Sequence, residues 1–198
     1  MNTRNRLRAE TKAIHETLDG IVGSLEPFSS AHRYRIYLSA MDQLYDIYAK
    51  DIDGAAEAAG IPCSVQCLRS AIRFDVDGNL LKSAPVERSA LANNDLQINS
   101  RKWAVGYVME GSAMGARYMS KMAKELVEKS DERIGNTYLD KLAADSYERW
   151  PTFVERLNEA QCDDEFAVVA AGSVFETAVT IFNGLIKELV NKSSSGYA

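Results

Sequence analysis

The chain is poor in the residues that build metal clusters, disulfide frameworks and sheets. It has two histidines and three cysteines in 198 residues. Two histidines leave a multi-ligand zinc site short of donors. Cys63, Cys67 and Cys162 are an odd number for a disulfide framework, and the step from Cys63 to Cys67 is one helical turn, unlike a zinc knuckle. Reduced core thiols are expected. Strand-like alternation of apolar and polar residues is nearly absent, and the Asp77-Gly78 pair in the 75–78 turn is the only hairpin signal, with flanks too short for a sheet. Positive charge is scarce too, since 23 Lys and Arg face 28 Asp and Glu. That excludes broad neutralisation of phosphates, so neither a nucleic acid nor an anionic membrane is an expected partner. Arg4, Arg6, Arg8, Glu10, Lys12 and Glu16 interrupt the amino end, so no signal peptide is read there. No run reaches the roughly eighteen apolar residues of a membrane helix. A cytoplasmic location is expected.

What is present is helical periodicity in a chain long enough for one core. Leu7, Thr11, Ile14, Leu18, Ile21, Val22 and Leu25 recur at three and four, which predicts one amphipathic helix ending before Pro27. Ser29 and Ser30 offer caps to a second helix that carries Tyr34, Tyr37, Leu38, Met41, Leu44, Tyr45 and Tyr48. An Ala-rich segment follows at 51–60, broken from a short helix at 64–73 by Ile61-Pro62. Further helices are predicted at 86–97, 101–129, 136–149, 151–160 and 164–191, with Pro151 opening its helix. The expectation is an all-α, single-domain bundle of about eight helices over residues 1–191, with a polar tail at 192–198.

Two features of this pattern carry chemistry. His15 shares the apolar stripe of the first helix, pointing an imidazole inward. The bland reading is a buried histidine satisfied by a polar neighbour; the functional one is a single axial ligand to haem iron, which needs one such imidazole and no more. Arg8 lies seven residues earlier on the same face, where its fork suits a carboxylate on whatever His15 binds. A solvated charge at a helix start is the alternative. The second feature is Gly106, Gly111 and Gly115 inside one predicted helix, although each glycine costs up to about 1 kcal/mol relative to Ala. Glycines at i and i+4 bare the backbone on one face. Either a flat macrocycle or a closely packed second helix would explain that.

The string Thr11-Lys-Ala-Ile-His15-Glu-Thr-Leu18-Asp19 resembles the proximal-helix motif of haem oxygenases. Gly106-Tyr107-Val-Met-Glu-Gly111-Ser112-Ala-Met-Gly115 resembles the distal-helix motif of their bacterial branch. Residues 87–96 resemble the segment leading into the distal half, and Phe175-x-x-Ala178-x-x-x-Phe182 resembles the last core helix. The similarity runs in order from residue 6 to about residue 190.

The resemblance implies that haem is substrate and cofactor at once, cleaved with O2 to biliverdin, carbon monoxide and ferrous iron. It implies that His15 ligates the iron, that Gly111 and Gly115 touch the haem face, that Arg8 meets a propionate, and that Phe175 and Phe182 line the pocket. Tyr107, Arg117 and Lys121 are rim or propionate candidates. Many family members carry Asp directly after the first distal glycine, to hold a proton-delivering water network, and this chain has Ser112 there. Electrons are expected from a ferredoxin, flavodoxin or flavin reductase, because no Gly-rich dinucleotide fingerprint follows a strand. Arg4, Arg6, Arg8 and Lys12 offer that donor a basic docking end. Two other functions compete: a haem-storage protein that leaves the ring intact, and a thiamin-degrading enzyme on a related bundle, whose nucleophile would have to be Cys63, Cys67 or Cys162.

Overall fold

A computed structural model describes residues 2–62, 64–86 and 92–194, with the side chains of the last helix to residue 188. Among these residues the regular elements are eight helices and no strand. They are α1 (Thr3–Glu10), α2 (Lys12–Leu25), α3 (Ala31–Ala59), α4 (Val65–Asp75), α5 (Asp95–Lys129), α6 (Thr137–Ala143), α7 (Ser146–Glu159) and α8 (Asp164–Ser194). Asn2, Ser30, Ser64 and Asn94 cap α1, α3, α4 and α5 by accepting a backbone N–H three residues on. Left-handed residues end α2 at Glu26 and α3 at Gly60.

Several predicted boundaries move, each for a local reason. The first helix divides at Thr11, whose buried hydroxyl donates to the Leu7 carbonyl at 2.7 Å and competes with the backbone ladder. The Ala-rich 51–59 stretch belongs to α3, because small side chains let it pack under α5 and α7. The separate helix predicted at 86–97 is not found: Val86 and residues 92–94 are non-helical, and 87–91 lie outside the described residues. Asn94 instead starts α5 at Asp95, so one helix covers what was read as the end of one and the whole of the next. The break predicted at Pro151 falls earlier, at Ala144 and the left-handed Asp145. Arg149 secures that corner, donating to the carbonyls of Leu142 and Ala144 and to the Glu110 carboxylate, while Pro151 lies inside α7. Helix α8 continues to Ser194, into the predicted tail.

The central element is α8, which packs against α5, α2, α3 and α1. It is also long and apolar enough over Asp164–Glu188 to cross a membrane, although polar residues interrupt its apolar stretches and the sequence expectation is of no such helix. Its burial among four helices accounts for that composition. Helix α5 packs on α3, α6, α7 and α8. Helix α2 leans on α8 and has no comparable packing with α5.

The larger core cluster gathers Tyr34, Tyr45, Tyr138, Ile181 and Phe182. Two hydroxyl pairs are satisfied inside it, Tyr45 with Tyr138 at 3.2 Å and Tyr48 with Thr177 at 3.0 Å, while the buried Tyr34 hydroxyl finds no partner among the described residues. A smaller cluster joins Leu7, Ala55, Trp103, Phe153, Leu157 and Ala171. Gly106 belongs to this second cluster. A Cβ there would come within 2.6 Å of the Ala55 Cβ and 2.9 Å of the Phe153 ring, so its glycine is required by packing.

Gly106→Ala is therefore expected to destabilise the fold by about 1–3 kcal/mol through overpacking. Exposed Gly20 on α2 has nothing within 4 Å of its missing Cβ. Gly20→Ala should stabilise by about 0.5–1 kcal/mol through reduced unfolded-state entropy. Thermal unfolding of the two variants measures both, and equal shifts of the same sign would contradict the packing assigned to Gly106.

Candidate functional site

The apolar face of α2 is less covered by protein than its sequence suggests. Only Leu25 in this helix is fully buried, while Ile14, Leu18, Ile21 and Val22 are half-buried. His15 shares the exposure, with 56% of its side chain accessible, which corrects the expectation of an inward, buried imidazole. The cause is that α2 packs chiefly on α8, so among the described residues its stripe has fewer covering helices than that of a core helix. The imidazole is nonetheless fixed on two sides. Its Nδ1 lies 3.0 Å from a carboxylate oxygen of Asp19, one turn on. Its ring meets Phe175 of α8 at 5.4 Å between centroids, edge to face at 71°. A carboxylate at Nδ1 keeps the ring proton there and leaves the Nε2 lone pair available, the arrangement found behind metal-bound histidines.

The glycines of α5 separate into two kinds. Gly106 is filled by neighbours, as above. At Gly111 a Cβ would touch the indole edge of Trp150 at 3.5 Å, an ordinary contact, and at Gly115 it would meet only the Met119 methyl at 3.7 Å. Among the described residues no backbone of another helix comes within 4 Å of either missing Cβ, so a close helix crossing does not explain Gly111-x-x-x-Gly115. Gly115 and Ser112 are exposed, and Gly111 is half-buried. The Ser112 hydroxyl donates to the Met109 carbonyl at 2.7 Å, which leaves its lone pairs to accept.

Tyr107 and Arg8 are brought into one neighbourhood. Burial pushes the Tyr107 phenol up, and the guanidinium charges of Arg4 and Arg8 work against that rise. The Tyr107 ring lies 5.8 Å from Trp150, which stacks at 6.1 Å on Phe153. Arg117 is exposed, with its guanidinium 5.1 Å over the ring of Tyr147, and Lys121 is exposed one turn on. Phe175 is buried at the His15 contact. Phe182 sits deeper, 2% exposed and 6.2 Å from Tyr37 in the main core.

The basic amino end is thinner than the sequence suggests. Arg6 lies 3.9 Å from both Asp164 and Glu165, and Lys12 lies 3.7 Å from Glu16. Of the cysteines, Cys63 is outside the described residues, Cys67 is exposed and Cys162 is half-buried. Burial, and then the Asp164 carboxylate, push the Cys162 thiol up, which disfavours the thiolate a nucleophile needs. Two clefts of about 420 Å³ lie elsewhere, one near Phe28, Met122 and Lys129, the other near Tyr45, Cys67 and Glu110. Neither is lined by His15, Gly111 or Gly115.

Sequence reasoning gave no role to Asp19 or Trp150. Asp19 was legible as the carboxylate one turn after His15. Trp150 was hidden by starting a helix at Pro151; with α7 begun at Ser146, Trp150, Phe153 and Leu157 fall at i, i+3 and i+7 on one face.

Comparison with known proteins adds the architecture. No family model matches the chain, and no curated protein matches it in sequence. Among solved structures it is similar to the haem oxygenase of Neisseria meningitidis, determined in its NO- and CO-bound forms, with a TM-score of 0.72 and 22% identity over 94% of this chain and 93% of that one. A likeness of that extent, on a chain whose sequence shares so little, establishes that this protein has the all-helical fold of a bacterial haem oxygenase.

Proposed function

We propose that the chain binds haem between α2 and the glycine-bared face of α5 and degrades it oxidatively to biliverdin, carbon monoxide and ferrous iron. The observation that carries this reading is His15 itself: an exposed imidazole whose Nδ1 is held by Asp19 and whose ring is braced by Phe175. That combination suits a ligand to iron better than a structural histidine, which would be buried or solvated on both nitrogens. The remaining residues fit a flat, partly apolar, dianionic ligand. Half-buried Ile14, Leu18, Ile21 and Val22 supply an apolar floor, and Gly111 and Gly115 supply backbone without Cβ. Arg8 and Tyr107 supply donors for a carboxylate.

Haem, when bound, contributes the iron that activates O2 and the ring that is oxidised. His15 would hold the iron through Nε2, with Asp19 fixing its tautomer and orientation. Gly111 and Gly115 let the α5 backbone come against the ligand's other face, where side chains would hold it off. Ser112 keeps its hydroxyl hydrogen on the Met109 carbonyl, so its lone pairs are free to accept from a water that carries protons to the reacting side. This is a weaker anchor than a carboxylate, because a hydroxyl lacks the charge that strengthens such a bond. Phe175 walls the imidazole, Phe182 supports that wall from the core, and Arg117 and Lys121 stand at the rim. Electrons come from an external ferredoxin, flavodoxin or flavin reductase, for which Arg4 and Arg8 are cations at the amino end without a carboxylate partner among the described residues.

Hemin added to the protein is expected to give the absorption spectrum of a histidine-ligated haem, and His15→Ala to lose it; an unchanged spectrum in the variant would remove the assignment. Under air with a chemical reductant the haem band should decay to that of biliverdin. Persistence of the intact haem spectrum would identify a storage protein instead. Asp19→Ala should weaken hemin affinity by roughly tenfold or more, as the loss of such an outer partner commonly does. Unaltered affinity would reduce Asp19 to a surface contact.

A further inference from the structure

The cleft between α3, α4, α5 and the corner joining α6 to α7 has a volume of about 420 Å³, and neither His15, Gly111 nor Gly115 lines it. A space of that size suits a small organic molecule. Its walls are apolar, with Tyr45 and Ile52 from α3, Leu68 from α4, Met109 from α5 and Leu142 from α6. One charged side chain is set deep among them. Glu110 is only 7% exposed, and one of its carboxylate oxygens accepts from Arg149 Nε at 3.2 Å. The second oxygen meets no donor among the described residues and is not sealed from solvent, so it opens on the cleft that Glu110 lines. A carboxylate in an apolar wall with one oxygen unmatched is costly, and a donor on a ligand would offset that cost. Arg149 is partly committed as well, since its terminal nitrogens donate to the carbonyls of Ala144 at 2.6 Å and Leu142 at 3.4 Å. A guanidinium carries more N–H groups than these three bonds use, so it keeps donors to spare.

The charges around the cleft select its occupant. A cationic ligand would face the Arg149 guanidinium and the Lys141 ammonium, both of which line the space, and an anionic one would lie against Glu110. A neutral hydroxyl fits both neighbours, because it donates to the open carboxylate oxygen and accepts from a spare Arg149 N–H. The geometry points to a second binding site, on this cleft, for an apolar molecule that carries one hydroxyl group, a phenol or an alcohol, with Glu110 as the acceptor that reads the hydroxyl. The apolar walls take the body of the ligand, and the ion pair takes its one polar group. The site stands apart from the haem reading and does not depend on it.

Equilibrium dialysis with β-naphthol and with its methyl ether, which has the same rings and no O–H, isolates the donor. Wild type should bind the naphthol roughly tenfold more tightly, as expected for a hydrogen bond to a charged acceptor. Glu110→Gln leaves Arg149 an acceptor and turns the open oxygen into an N–H donor, so it is expected to abolish the preference while the ether still binds. Leu68→Trp, which fills the cleft from a half-buried wall position, should lose both compounds, and His15→Ala should lose neither. Bound naphthol should also slow alkylation of exposed Cys67 at the cleft, followed by peptide mass spectrometry, and leave Cys162 unaffected. Equal affinity of wild type for the two compounds, or binding of neither, would overturn the inference. So would binding that survives Leu68→Trp, an unchanged rate at Cys67, or an equal loss of both compounds in Glu110→Gln, which would mark Glu110 as a partner of Arg149 and nothing more.

Discussion

The edge contact between His15 and Phe175 is where the candidate site is anchored to the fold. It ties α2, a helix with only one fully buried residue, to α8, the central helix of the bundle. Because α2 has α8 as its main neighbour, its apolar stripe stays half-covered and the imidazole stays accessible. A second contact from α5 onto α2 would have buried the stripe and consumed the histidine. The haem reading therefore depends on how α8 separates two helices that it also holds in place.

Glycine in α5 shows why motif and role must be weighed separately. Gly106 stands in the same resembling string as Gly111 and Gly115, and all three lower helix propensity. Only Gly106 is explained by packing, against Ala55 and Phe153. The other two face an indole edge and a flexible thioether methyl, contacts that a Cβ would tolerate. What they offer is a bare backbone next to exposed Ser112, and this is the part of α5 that a ligand would need.

The fold class was legible because its main signal, apolar residues at three and four, is repeated in nearly every segment. Boundaries were less legible where the deciding interaction is tertiary. Arg149 reaching back to Leu142 and Ala144 sets the corner between α6 and α7, and no local sequence rule places that bond. Asn94 caps α5, whereas the helix read from periodicity at 86–97 ran through it. For the site, the sequence pattern grouped His15 with Thr11, Leu18 and Val22 and expected it buried, but burial depends on how many helices cover a stripe, which periodicity does not report. Arg4 was seen as one of a basic series. Its distinction from Arg6 emerged only when Asp164 and Glu165, from the far end of the chain, were found to neutralise one and leave the other.

The central claim is geometric and is tested most directly by a crystal structure of the protein with hemin. The iron should lie on Nε2 of His15, with the opposite face of the macrocycle against the α5 backbone at Gly111 and Gly115 and its carboxylates at the α1 end. Hemin seated in the cleft beside Cys67 and Glu110, or ligated by any residue other than His15, would contradict it.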